Sequence, residues 1–422
     1  MISNPIRSSW LQHVWIFLFL TVSLLVTTSP SVAKKAEKPP ERGILHNNRG
    51  VEAMYKGDYD RAVFEFKTAT ELSPKYVEAW ANLGLAYKYK GRLPDAENAL
   101  KTAISLDRKY AGSYNHLGAV YYDMGKYDEA LKLYKKALHY NNKLSDAHYN
   151  ASLVYIARYR QDKNKDHLEE AVNELQQATG VNAEHAHAHK ELAKAYQDLG
   201  DFEKAIIRYK LALEIDPQMS DAWVSLANLY TLTGQTIKAQ QALNKALELN
   251  PNSAASHLNM GLNYLKDENY KMATREFHQA ALLEPSNELA YFNIGFTYYK
   301  KGIQELNTGN AGASSESLRL SNQAYESAYR LRPTYTEAAF NIGYNHSLLK
   351  DPTNAATWYK KALESDQTFS QAHFALAQAY QAQNNTTEAA RYFCSFLKLK
   401  PQGMAEEVSI ADNSLKALGG CP

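Results

Sequence analysis

The chain has 422 residues, in which 47 Lys and Arg stand against 45 Asp and Glu. A net charge of +2 weighs against a dedicated nucleic-acid binder, which needs a basic face to neutralise phosphates. The length would fill two or three globular domains, but a short unit that stacks on itself needs no single central core.

The N-terminus has the grammar of a targeting segment. Arg7 gives a short basic region, Val14 to Val26 is an apolar run, and Ser31-Val32-Ala33 places small residues at a cleavage site. The run falls short of the ~20 residues that a spanning helix needs. Residues 1–33 are therefore expected to be a signal peptide, and the protein to be exported to a periplasm or secreted. Lys34, Lys35, Lys38 and Arg42 follow at once, and basic residues there oppose translocation. An uncleaved N-terminal anchor is the alternative, and membrane contact is expected only in that case. Residues 34–42 are a charged, proline-containing linker.

From Gly43 to Pro401 a 34-residue period takes over. Its clearest copy, Val77 to Tyr110, has Trp80, Leu83, Gly84, Tyr87, Gly91, Ala96, Leu100 and Ala103 at positions 4, 7, 8, 11, 15, 20, 24 and 27. This spacing resembles the tetratricopeptide repeat (TPR) family: a helix, a tight turn, a second helix, and a turn often closed by proline. The resemblance implies an all-α fold, a right-handed superhelical solenoid of about ten helix-turn-helix repeats. Small residues at positions 8, 20 and 27 let helices approach, and large ones at 4, 7, 11 and 24 fill the gaps. Much of the chain's content of 30 tyrosines is the repeat's own Tyr at position 11 or 24.

In chain order the repeats run 43–76, 77–110, 111–144, 145–185, 186–219, 220–253, 254–287, 288–335, 336–369 and 370–403. The first has His46 where an aromatic is expected, as in a worn capping repeat. The fourth is stretched in its turn, at 158–167, and the eighth carries a longer insertion at 303–316, polar and glycine-containing, expected to be a mobile loop. Residues 404–422 form a capping helix and tail, with an amphipathic rhythm that would cover the open face of the last repeat.

In the TPR family, first-helix positions 2, 5, 6, 9, 12 and 13 line a concave groove. Two features appear there. Position 6 is a ladder of asparagines, Asn48, Asn82, Asn150, Asn259, Asn293 and Asn341, broken at His116, Glu191, Ser225 and Ala375. An amide both donates and accepts, so such a row can hold an extended peptide backbone whatever its side chains. It resembles the asparagine ladder in the TPR superhelix of O-GlcNAc transferase. The alternative is that these amides bond neighbouring turns. The second feature is an apolar strip at positions 5, 9 and 12 of the later repeats: Leu258, Leu262, Leu265, Phe292, Phe296, Tyr299, Phe340, Tyr344 and Phe374. It is either a partner site or a surface covered by tight winding or by the 303–316 insertion.

Cys394 and Cys421 are the only cysteines. In an exported chain they are a candidate disulfide tying the tail to the last repeat, with two free thiols as the alternative. Of His185, His187 and His189 only the first and last share a helical face, and His189 fills position 4, so no metal site is expected. No phosphate loop, GxSxG elbow or HExxH stands out, and no enzyme activity or cofactor is expected. The sequence points to a non-catalytic interaction scaffold that holds a protein or peptide segment in the groove of an envelope assembly. A self-assembling structural protein, as a homo-oligomer, is one alternative. An accessory subunit of a glycosyltransferase or polysaccharide-export system is the other.

Overall fold

The computed structural model describes residues 39–399 and 401–422. The signal peptide expected over 1–33 lies outside them, as does the linker up to residue 38. Among the described residues every regular element is an α-helix. The chain divides into two compact units, one ending at Asp216 and one beginning at Pro217.

The first unit is five helical hairpins: α1 (Glu41–Tyr55) with α2 (Tyr59–Leu72), α3 (Val77–Tyr89) with α4 (Leu93–Leu106), α5 (Ala111–Asp123) with α6 (Tyr127–Tyr140), α7 (Ser145–Asp162) with α8 (Lys165–Val181), and α9 (Ala186–Leu199) with α10 (Phe202–Ile215). The second unit has five more: α11 (Ser220–Leu232) with α12 (Thr236–Leu249), α13 (Ala254–Lys266) with α14 (Tyr270–Leu283), α15 (Glu288–Asn307) with α16 (Ala311–Leu331), α17 (Thr336–Leu348) with α18 (Pro352–Ser365), and α19 (Ser370–Ala382) with α20 (Thr386–Lys398). A last helix, α21 (Ala405–Leu418), packs on α20.

Local chemistry sets each hairpin. The turn needs one residue at positive φ. Gly91 supplies it in the second hairpin at φ 72, while Glu268, Lys350 and Asn384 take the same strain at φ 56 to 59. In seven of the ten hairpins the second helix then opens on a side-chain cap, as where Asp58 accepts from the Arg61 N–H and Asn269 from the Met272 N–H. Within the hairpin, position 24 fills the core: Phe66, Tyr134, Tyr209, Phe277, Tyr325, Tyr359 and Phe393 are all fully buried. Its partner at position 8 has to be small. A Cβ on Gly118 would sit 2.5 Å from the Tyr134 ring.

Position 4 does more than fill space. In six repeats its side chain donates to the backbone carbonyl six residues earlier, in the turn between hairpins. Trp80 reaches Pro74 O at 2.9 Å, Tyr114 reaches Arg108 O at 3.0 Å and Trp223 reaches Pro217 O at 3.0 Å. His189, His257 and His373 make the same bond through Nε2 to Ala183, Pro251 and Gln367. His46 is not wear. Its Nδ1 meets Glu65 Oε2 at 2.7 Å, as His148 meets Glu174 and His257 meets Glu276, so a His–Glu pair replaces the usual aromatic packing in three repeats.

Both insertions are helical, which corrects the expectation of loops. The residues at 158–167 lengthen α7 and α8, and those at 303–316 lengthen α15 and α16 to 20 and 21 residues, against 13 and 14 in α17 and α18. Just beyond the second insertion, two serines of α16 bond across the hairpin to α15. Ser317 Oγ donates to Glu305 at 2.6 Å and Ser321 Oγ to Gly295 O at 2.7 Å.

Each second helix packs on the first helix of the next hairpin within its unit. Successive first helices also touch, as α1 on α3, α3 on α5, α5 on α7, α11 on α13 and α17 on α19. Successive second helices make no comparable contact among the described residues. In each unit the first helices therefore lie on the inner side. Among the described residues no helix is long and apolar enough to cross a membrane.

Candidate partner-binding cleft

The inner face of the first unit is occupied by bonds between its own repeats. Asn82 Nδ2 donates to Asn47 Oδ1 at 3.0 Å, and Asn150 Nδ2 donates to Asn115 Oδ1 at 3.0 Å. In both, position 6 of one repeat bonds position 5 of the repeat before. His116 keeps the pattern by bonding the Ala81 backbone. Burial pushes its imidazole down to about 4, since the low-dielectric surroundings penalise the charged ring. Its Nδ1 is shielded from water without a partner.

The other asparagines diverge. Asn48 is exposed and Asn259 half-buried. Asn293 Nδ2 turns back to Leu289 O on its own helix at 2.8 Å, and Asn341 lies against the buried Tyr325 hydroxyl. The ladder's members are not brought together as one row of free amides.

The apolar strip in the second unit is a chain of ring contacts. Phe292 stacks on Tyr335 at 4.8 Å and tilts onto Tyr325 at 5.2 Å. Phe296 meets Tyr299 at 6.2 Å, Tyr299 meets Tyr344 at 6.0 Å, and Phe340 stacks on Tyr344 at 6.4 Å. Leu258, Leu262 and Leu265 are half-buried against the α13–α14 core. Phe374 is largely drawn into the core, against Phe396 at 5.2 Å and Phe393 at 5.9 Å, while still lining the cleft described below. The cause is Phe396 at position 27, where the nine preceding repeats have alanine. Tyr344 is the exposed member, at 40 %.

Tyr344 stands over a cleft of about 620 Å³ between α17 and α19. Phe340, Tyr344 and Ser347, at positions 5, 9 and 12 of α17, form one side. On α19 the lining follows one helical stripe, Gln371, Phe374, Ala375, Gln378, Ala379 and Ala382. Met404 and Glu407, at the start of α21, close the far end. The cleft opens where the asparagine ladder breaks, because Ala375 takes the place of Asn341. The tail behind α21 is pinned by the Cys394–Cys421 disulfide, with Cα atoms 5.9 Å apart. Sequence reasoning named Phe340, Tyr344 and Phe374 but missed the alanines, whose signal is a lack of bulk. Among the described residues no group of three or more His, Cys, Asp or Glu is placed to hold a metal. His185 Nδ1 instead caps α9 by accepting from the Ala188 N–H.

Stacked two-helix hairpins, latched through position 4 and lined on one side by first helices, define a helical-repeat protein. The chain belongs to the tetratricopeptide repeat proteins. A TPR repeat model matches residues 52–91 and 85–125, and tetratricopeptide repeat models match 111–143, 186–219, 205–259, 336–369 and 358–391, together more than half of the chain. Proteins of this kind generally mediate protein–protein interactions. Comparison with curated proteins gives no significant match. Among solved structures the chain is similar to Pseudomonas aeruginosa pilF, at 19% identity and TM-score 0.43, over 54% of this chain and 97% of that one. It is similar to PilW, described as a type IV pilus biogenesis factor, at 20% identity and TM-score 0.44, over 53% and 98%. It is also similar to the Cut9–Hcn1 hetero-tetramer of the APC/C, at 14% identity and TM-score 0.41, over 89% and 96%. Values this low carry no inference about partner or pathway.

Proposed function

We propose that this chain is a non-catalytic scaffold that holds an extended segment of a partner protein along the inner face of its second unit. The observation that carries this is the cleft under Tyr344, lined by the first-helix positions that TPR proteins use for ligands. A 40 % exposed tyrosine within an aromatic row, between Tyr299 and Phe340, is the kind of anchor that interfaces use. The first unit supports the choice from the other side, since two of its three ladder amides, Asn82 and Asn150, are spent on its own repeats. With Arg7, the apolar run and Ser31-Val32-Ala33, the scaffold works in a cell-envelope compartment after export.

The test is a photo-crosslinking residue at Tyr344 of the full chain, in cells, read by mass spectrometry. One dominant foreign protein supports the scaffold; crosslinks only to other copies of this chain would refute it. N-terminal sequencing of the mature protein checks export, with Lys34 expected first.

A further inference from the structure

We propose that the cleft between α17 and α19 seats one bulky apolar side chain of an extended segment whose backbone is held by Gln371 and Gln378. This rests on the reading of the inner face as a protein-binding surface and names what the site selects.

Three observations carry it. The first is room. Of the ten first helices, α19 alone has alanine at positions 6, 10 and 13, namely Ala375, Ala379 and Ala382; α17 has Asn341, Asn345 and Leu348 there. The cavity faces the rings of Phe340 and Tyr344, so a side chain entering it meets aromatic carbon on one side and methyl groups on the other. The second is the pair of amides. Gln371 and Gln378 are exposed, border the same cleft and make no hydrogen bond to another described residue. Seven residues apart, they rise ~10.5 Å along α19, close to the ~10 Å that three residues of extended chain span. Each amide offers a donor and an acceptor, which suits peptide groups and leaves side-chain choice to the cavity. The third is charge. The rim carries one residue of each sign, Lys350 and Glu407, so the seated segment needs no net charge, and an apolar residue suits the space between them.

The test starts with a random 12-mer peptide library selected on the full chain, followed by affinity measurement on synthesised hits. The selected peptides are expected to share one Trp, Phe, Leu or Met, and its replacement by Ala to weaken binding by about tenfold or more. Ala375→Asn with Ala382→Leu, which copies α17, fills the cavity and is expected to do the same, with thermal melting to check folding. Gln378→Ala changes only a surface amide and is expected to weaken binding by about three- to tenfold. Hits that bind both variants as tightly as the parent overturn the cleft assignment while leaving peptide binding by the inner face intact. Absence of any specific hit overturns both readings. Concentration-dependent dimers that the filled variant abolishes would make a second copy the occupant and refute the peptide assignment.

Discussion

The two asparagine rungs of the first unit make a quantitative claim. Asn82 and Asn47 are 5 % and 6 % exposed and bond each other at 3.0 Å. Asn82→Ala removes the donor and strands the Asn47 carbonyl oxygen, which costs about 1–3 kcal/mol for a buried group left unsatisfied. Asn47→Ala strands the Asn82 amide and costs a similar amount. The double variant strands nothing, so it should cost little more than either single one, a coupling of about 1 kcal/mol or more. A solenoid does not unfold in two states, so a global melt would dilute the effect. Native-state hydrogen exchange reads it locally: amides of α1 to α3 should exchange roughly 5- to 150-fold faster in each single variant. Exchange within twofold of the parent, with additive double-variant behaviour, would refute the reasoning. The Asn82 amide would then be free, and a peptide-binding ladder through the first unit would return.

Three further outcomes are expected. Glu268→Gly relieves a left-handed residue at φ 56 and should raise local stability by about 0.5–1 kcal/mol, seen as slower exchange in α13 and α14. The His116 imidazole falls from 6.5 to about 4 on folding. The neutral ring's contribution is therefore complete above pH 6.5 and lost as pH falls towards 4. Stability of the first unit should drop by about 2–3 kcal/mol across that window, and His116→Asn should flatten the drop; an unchanged acid profile would count against the burial argument. Cys421→Ser opens a loop with sequence separation 27 and should cost about 3.5 kcal/mol. The loss should be confined to α20 and α21, because repeats couple only to their neighbours.

The period alone was enough to place the hairpins, because glycine at 8, a bulky residue at 24 and alanine at 20 and 27 recur with the chain's own spacing. The latch at position 4 leaves an equally visible mark in the sequence. Nine of ten repeats hold Trp, Tyr or His there and none holds Phe, which favours a ring that can also donate, and six of the nine do so. What the sequence could not convey was direction. An asparagine at position 6 has the same letter whether its amide crosses to the repeat before, as in Asn150, or turns back on its own helix, as in Asn293. Phe374 lines the cleft as its position says, yet Phe396 in an alanine slot draws most of its ring into the core. Composition misled at 303–316, where Ser, Gly and Asn suggested a loop and the segment instead extends α15 and α16.

The lengthened hairpin has a geometric consequence. Seven extra residues on each of α15 and α16 make about two full turns, so every side chain beyond the addition keeps the azimuth it would have had without it. Each whole turn added to such an arm gives about 5.4 Å of reach. Intermediate lengths would rotate its faces out of phase with the neighbouring repeats. The 14 added residues act as a spacer of roughly 11 Å that carries the hairpin tip around Gly309 outward while leaving the stacking below untouched.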